Sequence, residues 1–161
     1  MKYSETVKVM FCGDSGRFPC RYDDKTSPLI YLLAFISTVQ NCKMEFYYTA
    51  YSPLDCIANR LVCTFSEKFR RPCKNIFVSA YADRRDVKKG FVYDEVFCPA
   101  ASNYPEKFAM AKLNYWLASN ADVMVCNVRR NKGNGFELMR ITKKMSEDND
   151  SPTIIDLQSR E

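Results

Sequence analysis

The sequence predicts an α/β protein of three layers, in which a mostly parallel sheet of about five to six strands carries helices on both faces, a Rossmann-like arrangement. Three observations predict it. Short apolar runs alternate with longer segments of helical period along nearly the whole chain. Those runs show little apolar–polar alternation, as expected of strands covered on both faces. Ser27-Pro28 and Ser52-Pro53 each open a helical stretch, with serine as N-cap and proline at the first helical position.

The elements follow in order. Lys8–Cys12 is a buried strand ended by Gly13, and a polar loop, Asp14–Ser27, leads to a helix over Pro28–Asn41. Met44–Thr49 is the second strand, followed by a helix over Pro53–Phe69, on which Ile57, Leu61 and Phe65 recur every fourth residue and face the sheet. Asn75–Ala80 is the third strand, Tyr81–Tyr93 a polar loop and Glu95–Cys98 a short fourth strand. Pro105–Asn120 is helical, with Ala109, Leu113, Trp116 and Leu117 on one face. Val123–Val128 is the fifth strand and Gly135–Met145 the last helix. An acidic turn, Glu147–Asp150, precedes a final strand, Thr153–Leu157.

Composition narrows the function classes. With 161 residues, 47% hydrophobic and 27% charged, the chain reads as one globular domain over 1–161, with 158–161 a frayed tail. The longest apolar run, Pro28–Ile36, is far below the roughly 20 residues that span a bilayer. The polar start, Met1–Val7, has no signal-peptide pattern, so a cytoplasmic chain with reduced thiols and no membrane partner is expected. The eight cysteines include no CxxC spacing and there is no histidine. No metal site and no mechanism resting on a histidine base are therefore expected.

In an open parallel sheet, ligands bind beyond the carboxyl ends of the strands. The loops there supply Gly13, Asp14, Ser15 and Gly16, then Thr49, Tyr51 and Ser52, then Asp83, Arg84 and Arg85, and finally Arg129–Gly135. Residues 81–93 carry four basic and two acidic side chains, and 129–132 carry three basic and none acidic. Together these excesses equal the chain's net charge of +5, so an edge that gathers both loops favours an anion such as phosphate. Arg129, Arg130 and Lys132 run directly into Gly133-Asn134-Gly135 and a helix. Glycines at a strand-to-helix turn let backbone N–H groups approach an anion. Asp14 in the Gly13 turn repels phosphate unless it accepts hydrogen bonds from a ribose or an amide. Asp55, in the first turn of its helix, either complements the helix dipole or points into the crevice. Asn114 either reaches the site or faces water, and Trp116 reads as core. Asp94 and Glu95 have no spacing that makes them a catalytic dyad.

These motifs in this order resemble the YpsA-like branch of the SLOG superfamily, which is related to the LOG-type and DprA-type Rossmann-like domains. Val9-Met10-Phe11-Cys12-Gly13 is similar to the family's strand ending in a Cys/Thr-Gly-His-Arg turn. Thr49–Asp55 falls where the family has Gly-x-x-Gly-x-x-Asp, with Asp55 at the aspartate. Tyr93-Asp94-Glu95-Val96 matches a Tyr-Asp-x-hydrophobic segment, and Lys112–Trp116 looks like the Arg-Asn-x-Trp helix with Asn114 and Trp116 in register. Asp122–Val128 with Gly133–Gly135, and then Thr153–Leu157, resemble the family's later strands and its Gly-Gly turn. The chain departs from the pattern at Asp14 and Ser15 (for His-Arg), at Thr49 and Ser52 (for glycines), at Leu113 (for arginine) and at Asn134, inside the glycine pair.

The resemblance implies a binding or sensing domain for a nucleotide or nucleotide-derived ligand, with no further cofactor. Its expected ligand residues are Gly13, Asp14, Ser15, Thr49, Ser52, Asp55, Asn114, Arg129, Arg130, Lys132, Gly133, Asn134 and Gly135. The alternatives are a LOG-type hydrolase of nucleotide N-glycosidic bonds, with Glu137 and Asp55 as its only carboxylate candidates, and an interaction protein with a degenerate site. Glu137 does not stand at the spacing of the hydrolases' PGGxGTxxE motif, and their arginine has no counterpart here. Ten tyrosines and eleven phenylalanines leave room for a homo-oligomer surface. The basic excess is too small, and too poorly interleaved with aromatics, to predict nucleic-acid binding.

Overall fold

A computed structural model describes residues 6–15, 43–69, 73–99 and 105–157. Six strands form one sheet: β1 (Thr6–Gly13), β2 (Lys43–Tyr48), β3 (Cys73–Val78), β4 (Glu95–Phe97), β5 (Val123–Asn127) and β6 (Thr153–Asp156). Every pairing is parallel, in the order β4-β3-β2-β1-β5-β6. Among the described residues three α-helices pack on it: α1 (Pro53–Phe69), α2 (Ala109–Asn120) and α3 (Asn134–Asn149). The expected three-layer α/β fold with a parallel sheet is therefore observed. The helix expected over 28–41 lies outside the described residues, as do Gly16 and 158–161.

The two faces of the sheet carry separate cores, because successive side chains of a strand point to opposite sides. Val9 and Phe11 of β1 join Phe46, Tyr48 and Val125 beneath Leu54, Ala58, Leu61 and Val62 of α1. Met10 and Cys12 join Ile76, Val78, Met124 and Cys126 beneath Leu113 and Leu117 of α2 and Leu138 of α3. Stacked rings fill the α1 side, with Phe11 and Tyr48 centroids 5.7 Å apart. No helix among the described residues is long and apolar enough to cross a membrane.

Several boundaries differ from the sequence expectation for identifiable reasons. β3 begins at Cys73 and ends at Val78, two residues earlier than predicted, because Cys73 already pairs with Met44 in the ladder with β2. Beyond Val78, Ser79 N still donates to Phe97 O of β4 at 2.8 Å, but the Ser79 hydroxyl and, at 2.9 Å, the Ala80 amide turn to the Asp86 carboxylate, which ends the strand. The helix predicted from Pro105 opens as a 3-10 turn, Glu106–Phe108, and becomes α-helical at Ala109. The expected acidic turn is mostly helix, since α3 continues to Asn149. It stops at Asp150, whose left-handed backbone (φ 57°) lets its N–H donate to Ser146 O at 3.0 Å.

Candidate functional site

Strand order reverses between β1 and β5: the chain leaves β1 towards β2 on one side and later returns to β5 on the other. In open α/β sheets this switch point opens a crevice beyond the carboxyl ends. Here Gly13 closes β1 in register with Asn127 of β5, so the loops that follow start side by side. Asp14 then bridges them. Its carboxylate accepts from the backbone N–H of Arg129 at 2.8 Å and of Arg130 at 3.4 Å. Of the two alternatives read from the sequence, Asp14 is thus the acceptor of amides.

Further contacts fix the junction from below. The Cys12 thiol donates to Gly135 O at 3.1 Å. The neighbouring Cys126 and burial both push this thiol well above the ordinary cysteine range, so it stays protonated. Gly135 is so close to β1 that a Cβ there would lie 2.2 Å from Gly13 O. Gly133 has φ 96°, a left-handed value that favours glycine, and precedes α3 with no side chain to cap it. Asn114 of α2 is 4% exposed and donates from Nδ2 to Asn134 Oδ1 at 2.8 Å. It reaches the site rather than water, and it holds the first residue of α3. The 16-residue α3 therefore presents the positive end of its dipole to the crevice, with exposed Arg130 and Lys132 on the approach.

The loop after β2 closes the other flank. Ser52 Oγ accepts from Leu54 N at 3.1 Å and lies 2.3 Å from where a Cβ on Gly13 would sit. Thr49 and Asp55 face each other inside the protein, with Asp55 Oδ2 accepting from Thr49 N at 2.8 Å. Asp55 is 1% exposed and its Oδ1 has no hydrogen-bond partner among the described residues. Burial pushes its carboxyl up to about 8, against the pull of the Thr49 and Ser52 hydrogen bonds. A carboxyl held neutral at neutral pH supplies little charge to the dipole of α1.

The cations of the loop after β3 are divided: Lys88 and Lys89 line a cavity that also holds Ser15 of the β1 loop, whereas Arg85 is spent on neighbouring acids. The loop after β3 is separated from β1 by β2, and Arg85 is engaged by Asp83 at 2.8 Å and by Glu106. That loop is braced by residues that sequence reading did not single out. Asp86 accepts from Ser79, Ala80 and, at 2.6 Å, the Tyr51 hydroxyl. Asn59 of α1 clasps Val92 through both its N–H (2.9 Å) and its carbonyl (2.8 Å). An aspartate and an asparagine in polar surroundings carry no sequence signal for such roles.

The remaining candidates fall outside the crevice's inner surface. Glu137 is exposed on α3 and pairs with Arg140 one turn on, at 2.8 Å. Trp116 packs on Tyr47 and Phe97, with ring centroids 5.7 and 5.0 Å away, as the core reading expects. Asp94 accepts from Asn75 N at 2.7 Å and Glu95 pairs with Lys74 at 3.2 Å, so both serve the β3–β4 edge. The chain matches no protein-family model and no curated protein in sequence.

Proposed function

We propose that the protein is a binding or sensing domain for a nucleotide or nucleotide-derived ligand, held at the switch point between β1 and β5, and that it belongs with the YpsA-like branch it resembles. The observation that carries this reading is the junction of 13–15 with 129–135, where Asp14 bonds the Arg129 amide across 115 residues of chain. Two glycine-bearing loops, one of them carrying three cations, meet at the place where this class of sheet binds ligands.

The internal bonds narrow where a phosphate would bond. Asp14 already occupies the amides of Arg129 and Arg130. On this reading the phosphate sits at the first turn of α3, on the N–H groups of 134–136, with exposed Arg130 and Lys132 on the loop that leads into the helix. Ser15 and Ser52 flank the space left for sugar or base. Asn114 acts through Asn134 by fixing the start of the helix.

Calorimetric titration of the full chain with nucleoside 5′-mono- and diphosphates tests the reading. Replacing Arg129 and Arg130 together by alanine weakens the binding at least tenfold on this account. Unchanged affinity in the double variant removes the site.

A further inference from the structure

A second concave site lies beside the crevice, over the carboxyl end of β2. It is a cavity of about 480 Å³, within the roughly 300–1,000 Å³ typical of small-molecule pockets. Its cationic wall is Lys88 and Lys89, and its apolar wall is Pro53 and Phe91, with Tyr51 and Ser52 between them. No carboxylate among the described residues lines it.

The cavity is built rather than incidental. The loop that carries the two lysines is tied down at both ends, by Asp86 to Ser79, Ala80 and Tyr51, and by Asn59 to Val92. Phe91 is anchored edge-on to Phe77, with centroids 5.1 Å apart, and tilted against Tyr48 at 6.2 Å. The acids nearest in sequence are already engaged, Asp83 by Arg85 and Asp86 by its three donors. Neither lysine forms an ion pair with a described residue. The site thus joins two ammonium groups with no ion-pair partner among the described residues to a rigid apolar wall, the complement of an anion carried on a flat apolar body.

We propose that this cavity is a second anion site, which takes a phosphate monoester with an aromatic or heteroaromatic body, the phosphate on Lys88 and Lys89 and the body against Phe91 and Pro53. It borders the switch-point site, with Ser15 and Ser52 in the lining of both, but it uses neither the β5 loop nor α3, so the two readings can fail separately.

The test is an amide NMR titration of the full chain with phenyl phosphate. The expected result is saturable shifts at 51–56 and 88–91. The affinity falls at least fivefold when Lys88 and Lys89 are both replaced by alanine and returns when both are replaced by arginine. Both lysines are exposed, so the variants keep the wild-type circular dichroism. Absence of saturable shifts overturns the proposal, as does unchanged affinity in the alanine pair. Shifts confined to 129–136 also overturn it, while leaving the switch-point site intact.

Discussion

Gly135 sits against the carbonyl oxygen of Gly13 so closely that a Cβ on Gly135 would come within 2.2 Å of it. The obstacle is backbone of a central strand and cannot turn aside. Gly135→Ala therefore forces α3 away from β1, at a cost of about 3 kcal/mol, the upper end for overpacking. Gly13→Ala meets the Ser52 hydroxyl at 2.3 Å, the end of a small side chain. That variant loses less, about 1 kcal/mol, and Ser52→Ala in the same chain recovers part of the loss. Chemical denaturation of the four proteins measures the order.

Asp14 places a negative charge at the rim of a site proposed to hold phosphate, in exchange for its bonds to two amides. Asp14→Asn keeps an acceptor and removes the charge. Nucleotide affinity is expected to rise roughly fivefold, the factor that about 1 kcal/mol of relieved repulsion represents. The gain shrinks at high salt. Calorimetry at two ionic strengths checks both statements.

Asp55 makes stability depend on pH in an unusual direction. Its carboxyl is pushed up to about 8 in the folded protein, against an ordinary value of 3.8. Between those values the unfolded chain has released this proton and the folded chain keeps it. By linkage, stability then falls as pH rises through that window, by about 1.4 kcal/mol per pH unit from this group alone. Below the window the group makes no difference. Asp55→Asn keeps an acceptor for Thr49 N and abolishes the slope. Denaturant midpoints of both proteins from pH 4 to pH 8 give the comparison.

Asn114 is 4% exposed and spends one of its two Nδ2 hydrogens on Asn134 at 2.8 Å, which ties it to the start of α3. Asn114→Ala loosens the start of α3. It is expected to weaken nucleotide binding several-fold while costing about 1 kcal/mol of stability. Hydrogen exchange at 134–137 should rise in the same variant, which separates a positioning role from direct contact.

Much of this architecture is legible in the sequence, and the limits of legibility are physical. Val9–Cys12 and Val123–Asn127 read as strands because burial on both faces makes them continuous apolar runs. Ser52-Pro53 marks the start of α1 because a cap and a fixed φ act locally. β3 was harder to place: Cys73-Lys74 is not an apolar run, and only pairing with β2 makes it strand. The end of α3 was misplaced because Glu147–Asn149 is polar and solvent-facing, which composition alone reads as a turn. At the site, the glycines at 133 and 135 were visible as a turn. The partners of Asp14, Asn114 and Asp86 are not, because the bonds of Asp14 and Asn114 join separate segments and those of Asp86 lie in an irregular loop, and neither leaves a periodic trace.

The central claim is that phosphate is held where α3 begins, beside β1. A crystal structure of the full chain grown with saturating adenosine diphosphate tests it most directly. The account requires density for a phosphate within hydrogen-bonding distance of the N–H groups at 134–136, with Arg130 or Lys132 turned towards it. Nucleotide density away from the 13–15 and 129–135 segments, or an empty crevice at saturation, contradicts it.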